Sequence, residues 1–272
     1  LVPIRDDAGN DMPGVTTTDH GHKGGLLGVD NGRIRFDNVR VPREALLNRF
    51  GAVDEQGRYS SPIDSVGARF FTMLGTLIRG RVSVGAAAGA SARTALALAV
   101  RYSLVRRQFD HPETGKGIPL LEYREHQRRL MPRVARAYAY ACAQNAIVAE
   151  LAEFERNPEA FDEVRRREME THAAGIKAAV TAFANDTITE ARLACGGAGF
   201  MAENMLTEMR KDCDVFSTFE GDNVVLTQLV GKELMGAYAA EFGNMDQLET
   251  VGFAINTVAD VVQEKVRAST LW

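Results

Sequence analysis

Three long stretches rich in alanine, leucine and valine, with apolar residues at helical spacing, set the narrowest limit on how this chain can fold. The first covers about 66–107 and is broken only by glycines, the second about 120–154, and the third about 159–194. A fourth begins near Val224 and a last one covers about 246–268. Each stripe needs a partner to bury it, and long helices joined by short connections pack as antiparallel neighbours. The expected fold is therefore mainly α, an antiparallel four-helix bundle over residues 63–242, followed by a further helical segment at 243–272. Pro132 should kink the second helix or mark an irregular turn. Gly75, Gly80, Gly85 and Gly89 each weaken an isolated helix by about 1 kcal/mol relative to alanine. A helix that keeps all four needs close contact with a neighbouring helix or a ligand.

Residues 1–62 read differently, as short alternating segments punctuated by glycine and proline. Asp30-Asn31-Gly32, between 26–29 and 33–36, predicts a tight hairpin, because Asn-Gly suits positive φ angles. A strand is expected at 39–42 and a turn at Glu55-Gln56-Gly57. This β portion is too short to close a sheet of its own. With a chain that opens on Leu1, it reads as the incomplete end of a β domain.

A net charge of −4 gives no reason to expect nucleic acid or an anionic membrane as partner. No apolar run approaches the roughly 18 residues of a membrane span, and no signal peptide is visible. Cys142, Cys195 and Cys213 lack metal-like spacing and read as free thiols. Glu122/His126 and Glu168/His172 stand at i,i+4, but a di-iron bundle uses Glu-x-x-His, so no metal is expected.

Thr218-Phe219-Glu220-Gly221-Asp222-Asn223 sets one carboxylate between a ring and a glycine, after a loop and before an apolar helix. Phe219 can shield Glu220 from water and strengthen it as a base toward a carbon acid. Gly221 lets the next backbone N–H approach a substrate, and Asn223 can cap the following helix. The ordinary reading is a helix cap with a surface glutamate. Arg106-Arg107-Gln108-Phe109 offers guanidinium donors suited to a pyrophosphate beside a ring that can flank a heterocycle. It can equally be a basic helix end favoured by the macrodipole. Gly196-Gly197-Ala198-Gly199 can admit a phosphate or adenosine to the backbone, or simply end a helix in a Schellman turn.

Five ordered blocks, VPIRDD, DNGRIRFDNVRVPRE, AVRYSLVRRQFD, ACGGAGF and STFEGDN, resemble the acyl-CoA oxidase branch of the acyl-CoA dehydrogenase superfamily. The resemblance implies an FAD enzyme that converts a fatty acyl-CoA to a trans-2-enoyl-CoA, with Glu220 as the base. The Gly221 N–H would bind the thioester carbonyl as an oxyanion-hole donor. Arg106, Gln108 and Phe109 would reach the FAD of a neighbouring subunit, Gly196 and Gly197 its adenine-nucleotide half, and Asn223 the flavin. Arg81, 25 residues before Arg106, would contact the CoA adenine. Shared cofactor contacts imply at least a homodimer.

Leu193 stands where dehydrogenases carry a glutamine, and Asp222-Asn223 where they favour a threonine, which is closer to the oxidase pattern. The acceptor is then O₂, giving hydrogen peroxide; the alternative is an electron-transfer flavoprotein. A non-catalytic helical subunit that kept the bundle is the reading from a different class. The arginine-rich composition and the ending Thr270-Leu271-Trp272, without Ser-Lys-Leu, favour a bacterial cytoplasm, or the peroxisome in a eukaryote.

Overall fold

The structure is a computed structural model that describes residues 1–74 and 77–244. Gly75 and the helix expected over 246–268 lie outside the described residues. Within the stretch 66–107 the described residues form α1 (Val66–Leu74) and α2 (Leu77–Val105), on either side of residues 75–76, which lie outside the described ones. A hairpin of β5 (Arg107–Asp110) and β6 (Gly117–Pro119) leads into α3 (Arg124–Arg156), which runs through Pro132 without a break. Next come α4 (Glu163–Ala194) and α6 (Asn223–Asn244). Asp162 caps α4, its carboxylate accepting the Arg165 N–H at 2.8 Å. The segment between α4 and α6 contains α5 (Leu206–Asp214). That helix is short and charged and buries only Leu206 and Cys213, so its apolar periodicity is too sparse to read.

Pairwise contacts fix the directions of the long helices. Gln144 of α3 donates to the Val82 carbonyl of α2, and His126 of α3 meets Ser103 of α2, so the two run antiparallel. Arg129–Glu190 and Arg133–Asp186 set α3 antiparallel to α4. Gly85 and Gly89 of α2 face Lys177 and Val180 of α4, so these two helices run parallel to each other. Finally, α6 returns along α4, with Asn223 against Lys177 and Val230 against Gly175. The order is up, down, up, down.

Alanine sets the spacing between α2 and α4. Ala88, Ala92, Ala95 and Ala99 form one fully buried stripe of α2 and join Val180, Ala184, Ile188 and Ala191 of α4 in the main core. Small residues at successive turns let the two backbones approach closely, and this answers the glycine argument made from sequence. Gly89 faces Val180, where an added Cβ would stand 3.3 Å from the side chain. Among the described residues, α2 is the one helix long and apolar enough to cross a membrane. Its alanine stripe is covered by the bundle, as in the core helix of a packed domain.

The β portion departs from expectation. β1 (Val15–Asp19) pairs antiparallel with β2 (Gly32–Phe36), Val15 opposite Phe36, so Asp30-Asn31-Gly32 is not the tip of a two-residue hairpin. The reason is tertiary. The Leu26 N–H donates to Asp212 of α5 at 2.6 Å, which draws the connection 20–31 onto the helical part. Residues 39–42 form no strand and lead instead into a 3₁₀ turn at Arg43–Ala45. The turn around Gly57 joins β3 (Ala52–Val53) to β4 (Tyr59–Ser60).

Candidate functional site

After α5 and a 3₁₀ turn at Val215–Ser217, the Thr218 and Phe219 N–H groups both donate to the Val215 carbonyl at 2.9 Å. The chain then takes two left-handed residues in succession, Glu220 at φ 57° and Gly221 at φ 109°. Glycine accepts this freely, whereas a residue with a Cβ is strained there by about 1–2 kcal/mol. Something must therefore hold Glu220 in place. Arg81 of α2 donates Nε to the Glu220 carbonyl at 3.2 Å, and Lys177 of α4 donates Nζ to the Gly221 carbonyl at 2.6 Å. Two cations from two parallel helices thus clamp successive carbonyls of the turn.

The same geometry aims the carboxylate. Glu220 lies directly over Gly80 of α2, where an added Cβ would stand 2.5 Å from both carboxylate oxygens. The glycine is the seat of the carboxylate, a purpose that helix propensity alone does not reveal. Phe219 is 45% exposed and lines a cleft.

Asp222, not Asn223, caps α6. Its carbonyl accepts the Leu226 N–H at 3.0 Å and its carboxylate accepts the Val224 N–H at 2.8 Å. The helix starts at Asn223, which frees that side chain to turn inward. Its Nδ2 donates to Thr181 Oγ1 at 2.9 Å and to the Ala178 carbonyl at 3.2 Å, and its Oδ1 accepts from Lys177 at 2.9 Å.

Arg81 stands beneath the Glu220 turn, half-buried, with Glu170 and Glu220 as its charged neighbours. Burial pushes its guanidinium below the ordinary range, and the two carboxylates pull it back. Burial likewise lowers the Lys177 ammonium; Asp222 opposes this, Arg81 reinforces it, and Glu220 opposes it. Glu170 is shifted upward, first by burial, against the pull of Arg81.

A cleft of about 620 Å³ opens beside Phe219, between the 20–31 connection and α5. His20, Arg210 and Lys211 line it together with Leu26, Val29 and Val215. Gly25 lets the connection lie against the Lys211 carbonyl, where a Cβ would collide. Lys23 holds the loop in shape through the carbonyls of Leu26 and Val29 and the Asn31 side chain.

The remaining expected site residues sit elsewhere. Because α2 and α4 run parallel, Arg106, Gln108 and Phe109 after one helix and Gly196 and Gly197 after the other emerge at the same end of the bundle. That end lies roughly 36 Å from Arg81 along α2, at 1.5 Å per residue. Phe109 is 74% exposed, with φ 59°, and Tyr123 donates its hydroxyl to the Gln108 carbonyl. Gly196 follows the last turn of α4 at φ 57°, a glycine helix terminus. Gly199 is required by packing, since a Cβ there would strike the Arg192 carbonyl. Gly197 has neither reason: its φ is not positive, and a Cβ would meet nothing among the described residues.

The two acid–histidine pairs do not come together. His126 lies 2.6 Å from Ser103 Oγ, and His172 lies 3.6 Å from Glu150. Among the described residues no three His, Cys, Asp or Glu side chains converge as metal ligands. Sequence reasoning missed Lys177 and the seat at Gly80. The available signal was a lone lysine in Gly175-Ile176-Lys177-Ala178-Ala179-Val180, a polar residue in an apolar helical stretch.

A sequence profile described as "Acyl-CoA oxidase, C-alpha1 domain" matches residues 74–235. A relative in Arabidopsis thaliana, acyl-coenzyme A oxidase 2, peroxisomal, is 40% identical over 243 residues, which cover 89% of this chain and 34% of the relative. Acyl-CoA oxidase 1 of Yarrowia lipolytica superposes with a TM-score of 0.81 at 32% identity, over 90% of this chain and 37% of that one. Acyl-CoA oxidase-1 of Caenorhabditis elegans, solved in complex with FAD and ATP, gives a TM-score of 0.77 at 27% identity, covering 91% and 36%. The chain spans about a third of the length of such relatives. With more than half of its residues inside that profile, the chain belongs to the acyl-CoA oxidase family.

Proposed function

We propose that the protein containing this chain oxidises a fatty acyl-CoA to the trans-2-enoyl-CoA, with Glu220 as the base that takes the α-proton. The observation that carries this reading is the Glu220 carboxylate, held over Gly80 on a strained turn that two cations fix from below. A base fixed at one position removes a proton faster than one free to wander, because orientation is settled before the reaction. The adjoining cleft carries Arg210, Lys211 and His20, which suit the phosphates of a CoA ester, with apolar wall at Leu26 and Val215 for its less polar portion. Arg81 supports the turn itself, and we assign it there in preference to the CoA adenine.

FAD fits the far end of the bundle. Gly197 leaves space that none of the described residues fills, and exposed Phe109 stands at the same end with Arg106 and Gln108. Those residues would hold the phosphates and adenine of the cofactor, which supplies the hydride acceptor when bound. A separation of roughly 36 Å from Arg81 means that the Arg106 end and Glu220 of one chain serve different cofactor molecules. This supports a homodimer or larger assembly in which subunits share FAD. Residues 1–62 are then the end of a β domain and 63–242 the bundle domain. The oxidase relatives favour O₂ as acceptor, with hydrogen peroxide as product, and a peroxisomal location in a eukaryotic host.

The test uses the full-length, FAD-loaded protein. Glu220→Gln, mixed anaerobically with acyl-CoA, should leave the flavin oxidised, a loss of at least about 100-fold in reduction rate. Normal bleaching would remove Glu220 as the base.

A further inference from the structure

Lys177 is fully buried near the middle of α4, in a stretch otherwise made of small and apolar residues. An ammonium carries three donors, and here each has one acceptor. They are the Ser217 carbonyl at 3.2 Å, the Gly221 carbonyl at 2.6 Å and Asn223 Oδ1 at 2.9 Å. All three acceptors lie within 217–223, the segment that brackets Glu220. The acceptors are also mutually fixed. Asn185 donates to the Ser217 hydroxyl at 3.0 Å, and Thr181 receives the Asn223 amide at 2.9 Å. The lysine backbone is held in turn, since Gly85 of α2 lies against it, leaving 3.5 Å between an added Cβ and the Lys177 Cα.

A buried charge is retained at a cost, and a hydrophobic residue of similar volume would fill the space at least as well. What a hydrophobic residue cannot do is tie the residues before and after Glu220 to one point. We infer that Lys177 is a positioning residue for α-proton abstraction, its ammonium fixing the left-handed turn so that the Glu220 carboxylate stays over Gly80. The inference rests on Glu220 being the base.

In the full-length holoenzyme, Lys177→Met should lower the rate of anaerobic flavin reduction on the order of 100-fold, the effect of displacing a reacting group by about 1 Å. FAD content and the KM for acyl-CoA should stay close to wild type, because the cleft and the Arg106 end of the bundle do not use Lys177, and Asn223 keeps its bonds to Thr181 and Ala178 without it. Lys177→Arg, which keeps the charge, should recover part of the rate. If Lys177→Met does not fold, Lys177→Arg alone decides: a fall in reduction rate with unchanged KM and FAD content supports positioning. A wild-type rate, or a rate loss matched by lost FAD or raised KM, overturns it. Glu220→Gln separates the two claims. If that variant is inactive while folded Lys177→Met reduces flavin within about threefold of wild type, only the role of Lys177 falls. If Glu220→Gln is fully active, the base assignment itself fails.

Discussion

Replacing Gly80 by alanine tests the site with the smallest possible change, one methyl group. The new Cβ would stand 2.5 Å from both Glu220 carboxylate oxygens. An ordinary carbon–oxygen contact is about 3.3–3.6 Å, so the carboxylate must retreat by about 1 Å. The atoms that move are the far end of a flexible side chain on a partly exposed residue, so folding tolerates the change. Alanine in a helix also gains about 0.5–1 kcal/mol over glycine. Stability should therefore be unchanged or slightly improved, while a 1 Å error at the proposed base lowers the chemical step by roughly 100-fold, about 2.7 kcal/mol in activation free energy. Thermal unfolding and anaerobic flavin reduction by acyl-CoA, measured on the same full-length preparation, separate the two. A Gly80→Ala protein that reduces its flavin within about threefold of wild type would refute the claim that carboxylate position is set by this seat.

The two neighbouring glycines after α4 should behave differently. Gly199→Ala brings a Cβ onto the Arg192 carbonyl and should destabilise the fold by about 1–3 kcal/mol in denaturant unfolding. Gly197→Ala meets nothing among the described residues, so it should fold normally yet retain FAD less well on dialysis. His126, beside Ser103, is shifted below its ordinary value of 6.5, first by burial and then by Arg129. The unfolded chain therefore binds more protons than the folded one as pH falls through 6.5 toward the folded value, so stability declines in that window. Thermal unfolding across pH 7 to 5 should show this decline, and His126→Gln should flatten it.

Much of the helical architecture was legible because it rests on local periodicity. The stripes at 66–107, 120–154 and 159–194 recur every three to four residues, and no other backbone geometry places them on one side. Glu220 was singled out for another reason, since its triplet follows Arg106-Arg107-Gln108 and Gly196-Gly197 in the order of one flavoprotein family, whereas the triplet alone reads as a helix cap. The hairpin expected at Asp30-Asn31-Gly32 failed because its strand partner was chosen elsewhere, Leu26 being held by Asp212, distant in sequence. Asn223 was expected to cap, but Asp222 does so, and a single residue of register decides which side chain points into the bundle.

The sequence by itself determined the bundle and its order of helices through local spacing, and it singled out Glu220 as the candidate base only through the order of five family-like blocks. Only the tertiary structure decided what holds Glu220: the Gly80 seat, Arg81 under the Glu220 carbonyl, and Lys177 tied to both sides of the turn. Gly80 and Arg81 stand on α2 and Lys177 on α4, and the parallel packing of these two helices brings them to one place. Propensity is a property of neighbours along the chain, whereas a clamp is made by residues that folding alone makes neighbours.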